Sequence, residues 1–435
     1  MSSKKVNIGI IGLGTVGIGV LKILKNIQDT ISEKIGGEIV IKKIVNRTLD
    51  KNWNFEFDRS ILSNNPDDIL DDKEIDIVVE LIGGYEPART IILKALNNKK
   101  HVVTANKAVL AKYWDEINTT CKKNNVLVYF EASVCAGIPV IQGLNEGLSG
   151  NKIERISGIL NGTTNYILTR MLKERCSFDA ALKMAQEKGF AESDPTFDIK
   201  GIDAAHKLAI LASIAYGTNI SINDVYAEGI DGIKLEDIDF ANKELDLAIK
   251  LLAMAKKTKN GLELRVNPVF LPKKHLLAAV QNEYNAVYVV GDATGEVMFY
   301  GRGAGELPAA SGVVSDILYI SKHIINEIAG KSQFVSYSSK QTMKILDIMD
   351  IETKYYIRFE AIEAPGALAK IAGILGKYNV SIATCFQREV RGKKVPVIIT
   401  THKSKERDVR TAIEEIDKLD VIKEKTVFIR IEEEL

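Results

Sequence analysis

Residues 6–17 read Val6-Asn7-Ile8-Gly9-Ile10-Ile11-Gly12-Leu13-Gly14-Thr15-Val16-Gly17. A run of β-branched residues ends in three glycines spaced G-x-G-x-x-G, and the chain beyond them takes up the apolar period of a helix. Each glycine has its own task. Gly12 permits a tight turn, Gly14 lets the backbone approach a pyrophosphate, and Gly17 lets the helix pack on the strand. The free amides at the start of that helix, at Thr15 and Val16, then face an anion. Strand, glycine turn and helix in that order predict a dinucleotide site.

Outward from this stretch, short Val- and Ile-rich runs alternate with helical patterns up to about Ser133: EIVIKKIV, DIVVELIGG, HVVTAN and VLVYFEA. Strands covered on both faces read as continuously apolar, and βαβ crossovers make the sheet parallel, so the expected class is α/β with a Rossmann-type doubly wound parallel sheet. At the end of the second strand an NAD enzyme usually carries an acid for the ribose hydroxyl. Here the chain has Asn46-Arg47-Thr48 instead, with no carboxylate. Arg47 can receive a 2′-phosphate bidentately, which favours NADP(H) over NAD(H); otherwise it is a solvated loop charge.

The length of 435 residues suggests about three domains. The chain has 58 Lys and Arg against 57 Asp and Glu, a net charge of +1, with no basic stripe to neutralise phosphates, so no nucleic-acid partner is expected. Cys121, Cys135, Cys176 and Cys385 lie far apart, which argues against a disulfide scaffold or structural metal and for a reducing compartment. Lys4 and Lys5 before an apolar stretch could imitate a secretory signal, but the glycines, Lys22 and Lys25 interrupt it and no cleavage site follows. No stretch is apolar for long enough to span a bilayer, so a cytoplasmic protein with no membrane partner is expected.

From about Cys135 to Arg302 the texture changes. Helical patterns at 163–216 are followed by strand-like runs, of which NAVYVVGD, the turn Asp292–Gly295 and EVMFYG form a hairpin. A glycine turn at Gly301, Gly303 and Gly305 then feeds a long apolar-periodic helix expected to pack back on the first domain. Residues 333–353 read as a linker. The chain restarts as strand, helix, strand, strand, helix, strand, a ferredoxin-like βαββαβ unit.

Four segments carry the chemistry: TANKAVLA at 104–111, EASVCAGIPVI at 131–141, NGTTNYIL at 161–168, and GFAESDPTFDIKGIDAAHKLAIL at 189–211. Glu192, Asp194 and Asp198 make a dense acidic loop. Asp203 and Lys207, spaced i and i+4, share a helix face from which His206 points away. Alone, that pair could be an exposed helix ion pair. Together the segments resemble homoserine dehydrogenase, and APGALAKIAGIL resembles the ACT regulatory domain of its long bacterial form.

The resemblance implies NAD(P)H-dependent, reversible reduction of L-aspartate 4-semialdehyde to L-homoserine. It implies Lys207 as proton donor to the aldehyde oxygen with Asp203 beside it, and Lys107 as a second lysine between substrate and nicotinamide. Glu192 would hold the substrate's amino group and Asp198 would complete the pocket. Main-chain carbonyls of Glu131, Val134, Ala136 and Ile138 would hold a monovalent cation, Na+ or K+, as suits a hard ion. The turn around Gly303 would close over the cofactor. The implied domains are residues 1–134 with about 303–332 for the dinucleotide, an α+β substrate-binding and dimerisation domain at 135–302, and the ACT domain at 354–435. L-threonine would be the effector of a homodimer or homotetramer.

Two positions depart from the family pattern: Phe190 stands where a tyrosine is usual, and Ala309 where a threonine is usual. Two other readings remain open from the residues alone. One is an aldehyde-oxidising enzyme with Cys135 as nucleophile, the other a cofactor-sensing regulator without turnover.

Overall fold

The computed structural model describes residues 4–53, 55–331, 343–387 and 394–433. The chain divides into two compact units: one of residues 1–156, 205–225 and 284–343, the other of 157–204, 226–283 and 344–435. Residues 333–342 of the expected linker and the end of the expected strand at 388–390 lie outside the described residues.

In the first unit six parallel strands lie in the order Leu62–Ser63, Gly37–Val45, Lys4–Ile11, Ile77–Glu80, His101–Thr104, Val128–Tyr129. This is the doubly wound order, reversing beside the first strand, where such sheets bind dinucleotides. Ile8, Ile10, Val78, Val79, Val102 and Val103 are fully buried, as expected of strands covered on both faces. The helix Glu306–Ile325 packs on the helix Thr15–Asn26. A Cβ at Gly19 would lie 2.8 Å from the Ala310 Cβ, so a glycine is needed where the helices touch. Lys22 and Glu306 pair across that contact at 2.6 Å. Tyr284–Gly291 and Gly295–Arg302 form the expected hairpin, turning at Gly295 with a φ of 70°.

In the second unit the strands Leu247–Thr258 and Gly261–Pro272 form a long antiparallel pair. Residues 352–431 make the βαββαβ unit, with helices Ala367–Lys377 and Glu406–Ile416 on one face of the sheet Val427–Ile431, Glu352–Ile362, Lys394–Thr401, Ile382–Gln387. Tyr355, Ile357 and Phe359 pack there with Ile371, Leu375, Val409 and Ile413. The alternate residues Tyr356 and Arg358 point to the other face. They are buried there too, because Asp237 of the helix Leu235–Glu244 accepts from the Tyr356 hydroxyl at 2.8 Å and from Arg358 Nε at 2.6 Å. Val427–Ile431 also pairs in parallel with Gly261–Pro272, so this small sheet continues directly into the long antiparallel pair.

Candidate active site

The glycine turn is held from both sides. Gly12 has a φ of 108°, and a Cβ on it would meet the Leu81 carbonyl at 2.8 Å. Asn46 Oδ1 accepts from the Leu13 amide at 3.1 Å, while Trp53 Nε1 donates to the Leu13 carbonyl at 3.0 Å. A Cβ at Gly17 would lie 2.4 Å from the Gly12 carbonyl, whereas Gly14 faces open space and no side chain caps the helix Thr15–Asn26. Unclaimed amides behind an open glycine fit a pyrophosphate. Arg47 is exposed at the strand end and makes no ion pair among the described residues.

Lys107 is the first residue of the helix Lys107–Asn124, whose N-cap Asn106 accepts from the Val109 amide at 3.3 Å. Below it lies a carboxylate that the sequence reading passed over. Glu80, fully buried, accepts from the Thr104 hydroxyl at 2.6 Å and from the Ile82 and Gly83 amides at 2.9 and 3.3 Å. Burial pushes its carboxyl up, and these donors oppose the shift. Thr104 Oγ1 in turn accepts from the Asn106 amide at 3.0 Å, and Asn106 Nδ2 donates to the Gly84 carbonyl at 2.8 Å. One buried acid thus ties the loop after one strand to the turn that presents Lys107. Its signal was a lone Glu at the end of the apolar run DIVVE.

In the segment Glu131–Ile138, Cys135 and Ala136 take left-handed φ values of 52° and 34°. The turn is anchored by Glu131: its carboxylate accepts from the Ile141 and Gln142 amides, each at 2.8 Å, and its own amide donates to Asp316 Oδ2 at 2.8 Å. Burial raises the Glu131 carboxyl to about 7 against the pull of those amides. Asp316 is fully buried, its carboxyl held well above the usual range by burial and by Glu131, and its Oδ1 has no hydrogen-bond partner among the described residues. A turn of carbonyls beside an orphaned carboxylate oxygen fits a hard cation. The same turn meets the second glycine segment, since the Gly137 amide donates to the Arg302 carbonyl at 3.3 Å. At Gly303 a Cβ would overlap the Asn285 side chain at 1.9 Å, which explains the glycine. Cys135 itself is buried, 1% exposed, inside this turn.

In the second unit the structure brings Asp198 and Asp203 together through Asn161, whose Nδ2 donates to Asp198 Oδ1 at 2.7 Å and to Asp203 Oδ2 at 2.9 Å. Asn161 Oδ1 also caps the helix Gly162–Glu174 by accepting from the Thr164 amide at 2.9 Å. Asn161 carried no assigned role in the sequence reading, although an Asn just before a helical run is an N-cap signal. Asp203 opens the helix Ile202–Tyr216, and Lys207, further along that helix and counted with the first unit, is only 9% exposed. Glu192 is exposed. Asp194 accepts from the Thr196 amide at 3.1 Å, which occupies it in starting the short helix Thr196–Ile199. Phe190 packs on Tyr166 with centroids 5.0 Å apart, and its carbonyl accepts from the Thr163 hydroxyl at 2.5 Å.

Residues 12–131 match the family model "Homoserine dehydrogenase, NAD binding domain", residues 139–318 match "Homoserine dehydrogenase", and residues 355–421 match "ACT domain". The homoserine dehydrogenase of Bacillus subtilis is 40% identical over 431 residues, covering 99% of each chain. A crystal structure of a homoserine dehydrogenase from Thiobacillus denitrificans is 42% identical and superposes with a TM-score of 0.93 over 99% of each chain. A hyperthermophilic archaeal homoserine dehydrogenase mutant in complex with NADPH is 30% identical with a TM-score of 0.62, covering 72% of this chain and 97% of its own. No helix among the described residues is long and apolar enough to cross a membrane. Glycine turn, polar cluster and C-terminal domain therefore have one common account: the chain belongs to the homoserine dehydrogenase family of NAD(P)-dependent oxidoreductases and carries a C-terminal ACT domain.

Proposed function

We propose that the chain reduces L-aspartate 4-semialdehyde to L-homoserine with NADPH, reversibly, and that Lys207 gives the proton to the aldehyde oxygen. The observation that carries the assignment is the Asn161 bridge. It holds two carboxylates in one polar pocket, on the loop and helix start that lead into a buried lysine. Glu192 binds the substrate's amino group, with Asp198 and Asp203 completing the polar pocket. Lys107 orients the carbonyl, from a helix start steadied by Glu80 through Thr104 and Asn106. When bound, the reduced nicotinamide supplies the hydride to the aldehyde carbon. Lys207 Nζ neutralises the alkoxide as it develops, and a proton returns to the lysine from solvent. Gly12, Gly14, Thr15, Val16, Gly17, Asn46 and Gly303 hold the dinucleotide.

The preference for NADP(H) rests on Arg47 at the end of the second strand and on Asn46-Arg47-Thr48 carrying no acid there. The NADPH complex of the archaeal relative supports the same cofactor. A monovalent cation at the carbonyls of Glu131, Val134, Ala136 and Ile138 is supported by the orphaned Oδ1 of Asp316, whose other oxygen accepts from the Glu131 amide. The working boundaries are 1–134 with about 303–332 for the cofactor, 135–302 for substrate and dimerisation, a linker at 333–353, and 354–435 for regulation. In the last of these, Gly366, with a φ of 83°, opens the helix Ala367–Lys377 as an amino-acid site would require. L-threonine is the effector we assign, acting on a homodimer or homotetramer in the cytoplasm. Oxidation of NADPH by the full chain with aspartate semialdehyde, followed at 340 nm, tests the assignment; cofactor binding without turnover would replace it with a sensor.

A further inference from the structure

The second unit contains a closed set of charges that the reaction does not use. Arg430, fully buried, donates from Nε to Glu406 at 2.9 Å, from Nη2 to the other oxygen of Glu406, and from Nη1 to Glu228 Oε2 at 3.0 Å. Arg410 donates to Glu406 at 2.8 Å and to the Tyr226 hydroxyl at 2.9 Å, and that hydroxyl donates to Glu228 at 2.9 Å. Two arginines thus balance two glutamates with a tyrosine between them. Arg430, Arg410 and Glu406 belong to the βαββαβ unit, whereas Tyr226 and Glu228 stand in a short segment against the strand Gly261–Pro272.

That segment is the floor of the substrate loop. The Ile230 amide donates to the Ile199 carbonyl at 2.9 Å, and Lys200 pairs with Asp231 at 2.8 Å. A Cβ at Gly229 would lie 2.3 Å from the Ile199 carbonyl, and one at Gly201 would lie 3.4 Å from the Glu228 carbonyl. Residues 199–201 therefore rest directly on residues 228–230, between Asp198 and Asp203, with no space for slippage. Anchorage of the βαββαβ unit does not by itself need this contact. Arg265 with Glu432, and Arg358 with Asp237, already provide buried pairs, and Val269 and Phe270 pair with Arg430 and Ile431 along the backbone.

We propose that Glu228 is a positioning residue for the substrate loop, held in place by Arg430, so that the C-terminal domain sets where Asp198 and Asp203 stand. The proposal rests on the assignment of those two aspartates to the substrate. It makes the domain's placement a determinant of substrate affinity, through a contiguous set of packed and hydrogen-bonded groups.

The test uses full-length Glu228→Gln, with Glu432→Gln as the control that cuts the more deeply buried Arg265 pair, in which the guanidinium bonds Glu263, Asn267 and Met254 rather than residues 199–201 or 228–230. Glu228→Gln should raise the KM for aspartate semialdehyde on the order of tenfold with the KM for NADPH within about twofold, because only the substrate carboxylates shift. Glu432→Gln should lower the melting temperature and leave both KM values in place. If Glu228→Gln fails to fold, Tyr226→Phe takes its place with the same readout and a smaller rise. An unmoved substrate KM, or an equal rise in the Glu432 control, would overturn the proposal. Asp198→Asn is measured alongside: if it too leaves the substrate KM unmoved, the aspartate assignment has failed, and if it raises KM while the Glu228 variant does not, only the positioning role has failed.

Discussion

One amide group, Asn161 Nδ2, sits 2.7 Å from Asp198 Oδ1 and 2.9 Å from Asp203 Oδ2, so two carboxylates that would otherwise repel share a single neutral donor. Asn161 is 4% exposed, and its Oδ1 is committed to the Thr164 amide, so the group cannot rotate away. Asparagine is the side chain whose acceptor can cap a helix while its donor faces two acids.

Asn161→Ala should therefore raise the substrate KM on the order of tenfold and lower stability by about 1 kcal/mol through the lost cap. Asn161→Ser separates the two effects: the hydroxyl restores the cap and the melting temperature, but it cannot reach both acids, so KM stays raised. Recovery of KM by serine would show that the cap alone matters.

Lys207→Ala should lower kcat by about 10² to 10⁴, the range of general acid catalysis, with NADPH binding nearly intact. Lys107→Ala should fall similarly and also weaken the cofactor, since it starts the helix beside the cofactor loop. A loss of tenfold or less in the Lys207 variant would remove it as the proton donor.

Arg47→Ala should reduce kcat/KM with NADPH far more than with NADH, because only NADPH offers a phosphate to the guanidinium. Equal losses with the two cofactors would return Arg47 to a solvated loop charge.

Lys250 gives the second unit a pH signature. It is 5% exposed, donates to Asn165 Oδ1 at 3.0 Å and to the Val280 carbonyl, and burial lowers its pKa from 10.5 to about 8. Below about pH 8 folded and unfolded chains both hold the proton, and the folded state bears the full cost of a buried cation. Between about 8 and 10.5 the folded chain has released it and the unfolded chain has not, so this residue's contribution improves with pH, by roughly 3 kcal/mol over the window. Urea midpoints of the wild type and Lys250→Met, taken from pH 7.5 to 10, should diverge in favour of the wild type as pH rises. Parallel curves would refute the assignment.

Deletion of residues 350–435 should yield insoluble protein rather than a deregulated enzyme. It removes Glu432 from the buried Arg265 and strips the strand Val427–Ile431 from the edge of Gly261–Pro272. Regulation is better read on the intact chain: L-threonine should inhibit it, and Gly366→Val, which puts a β-branched residue at a φ of 83°, should abolish that response. A soluble, active deletion product would contradict the first expectation, and an unchanged threonine response in the glycine variant the second.

The sequence by itself determined whatever is written within ten or twenty residues. The apolar run ending in Gly12, Gly14 and Gly17 specified strand, turn and helix, and the alternation of such runs specified a parallel doubly wound sheet. The βαββαβ order was equally legible from 352 to 431, because periods of 2 and 3.6 and the turn glycines are local signals. Tertiary structure alone decided the rest. Nothing near Asn161 announces that it will meet Asp198, 37 positions on, nor anything near Glu228 that it will meet Arg430, 202 positions away. Glu80 and Asp316 looked like ordinary acids and proved to be buried acceptors for amides and hydroxyls that strand ends and turns left without partners. The physical reason is the same in each case. A polar group's role inside a protein depends on which donors and acceptors remain unpaired around it once the backbone is folded, and that remainder exists only in three dimensions.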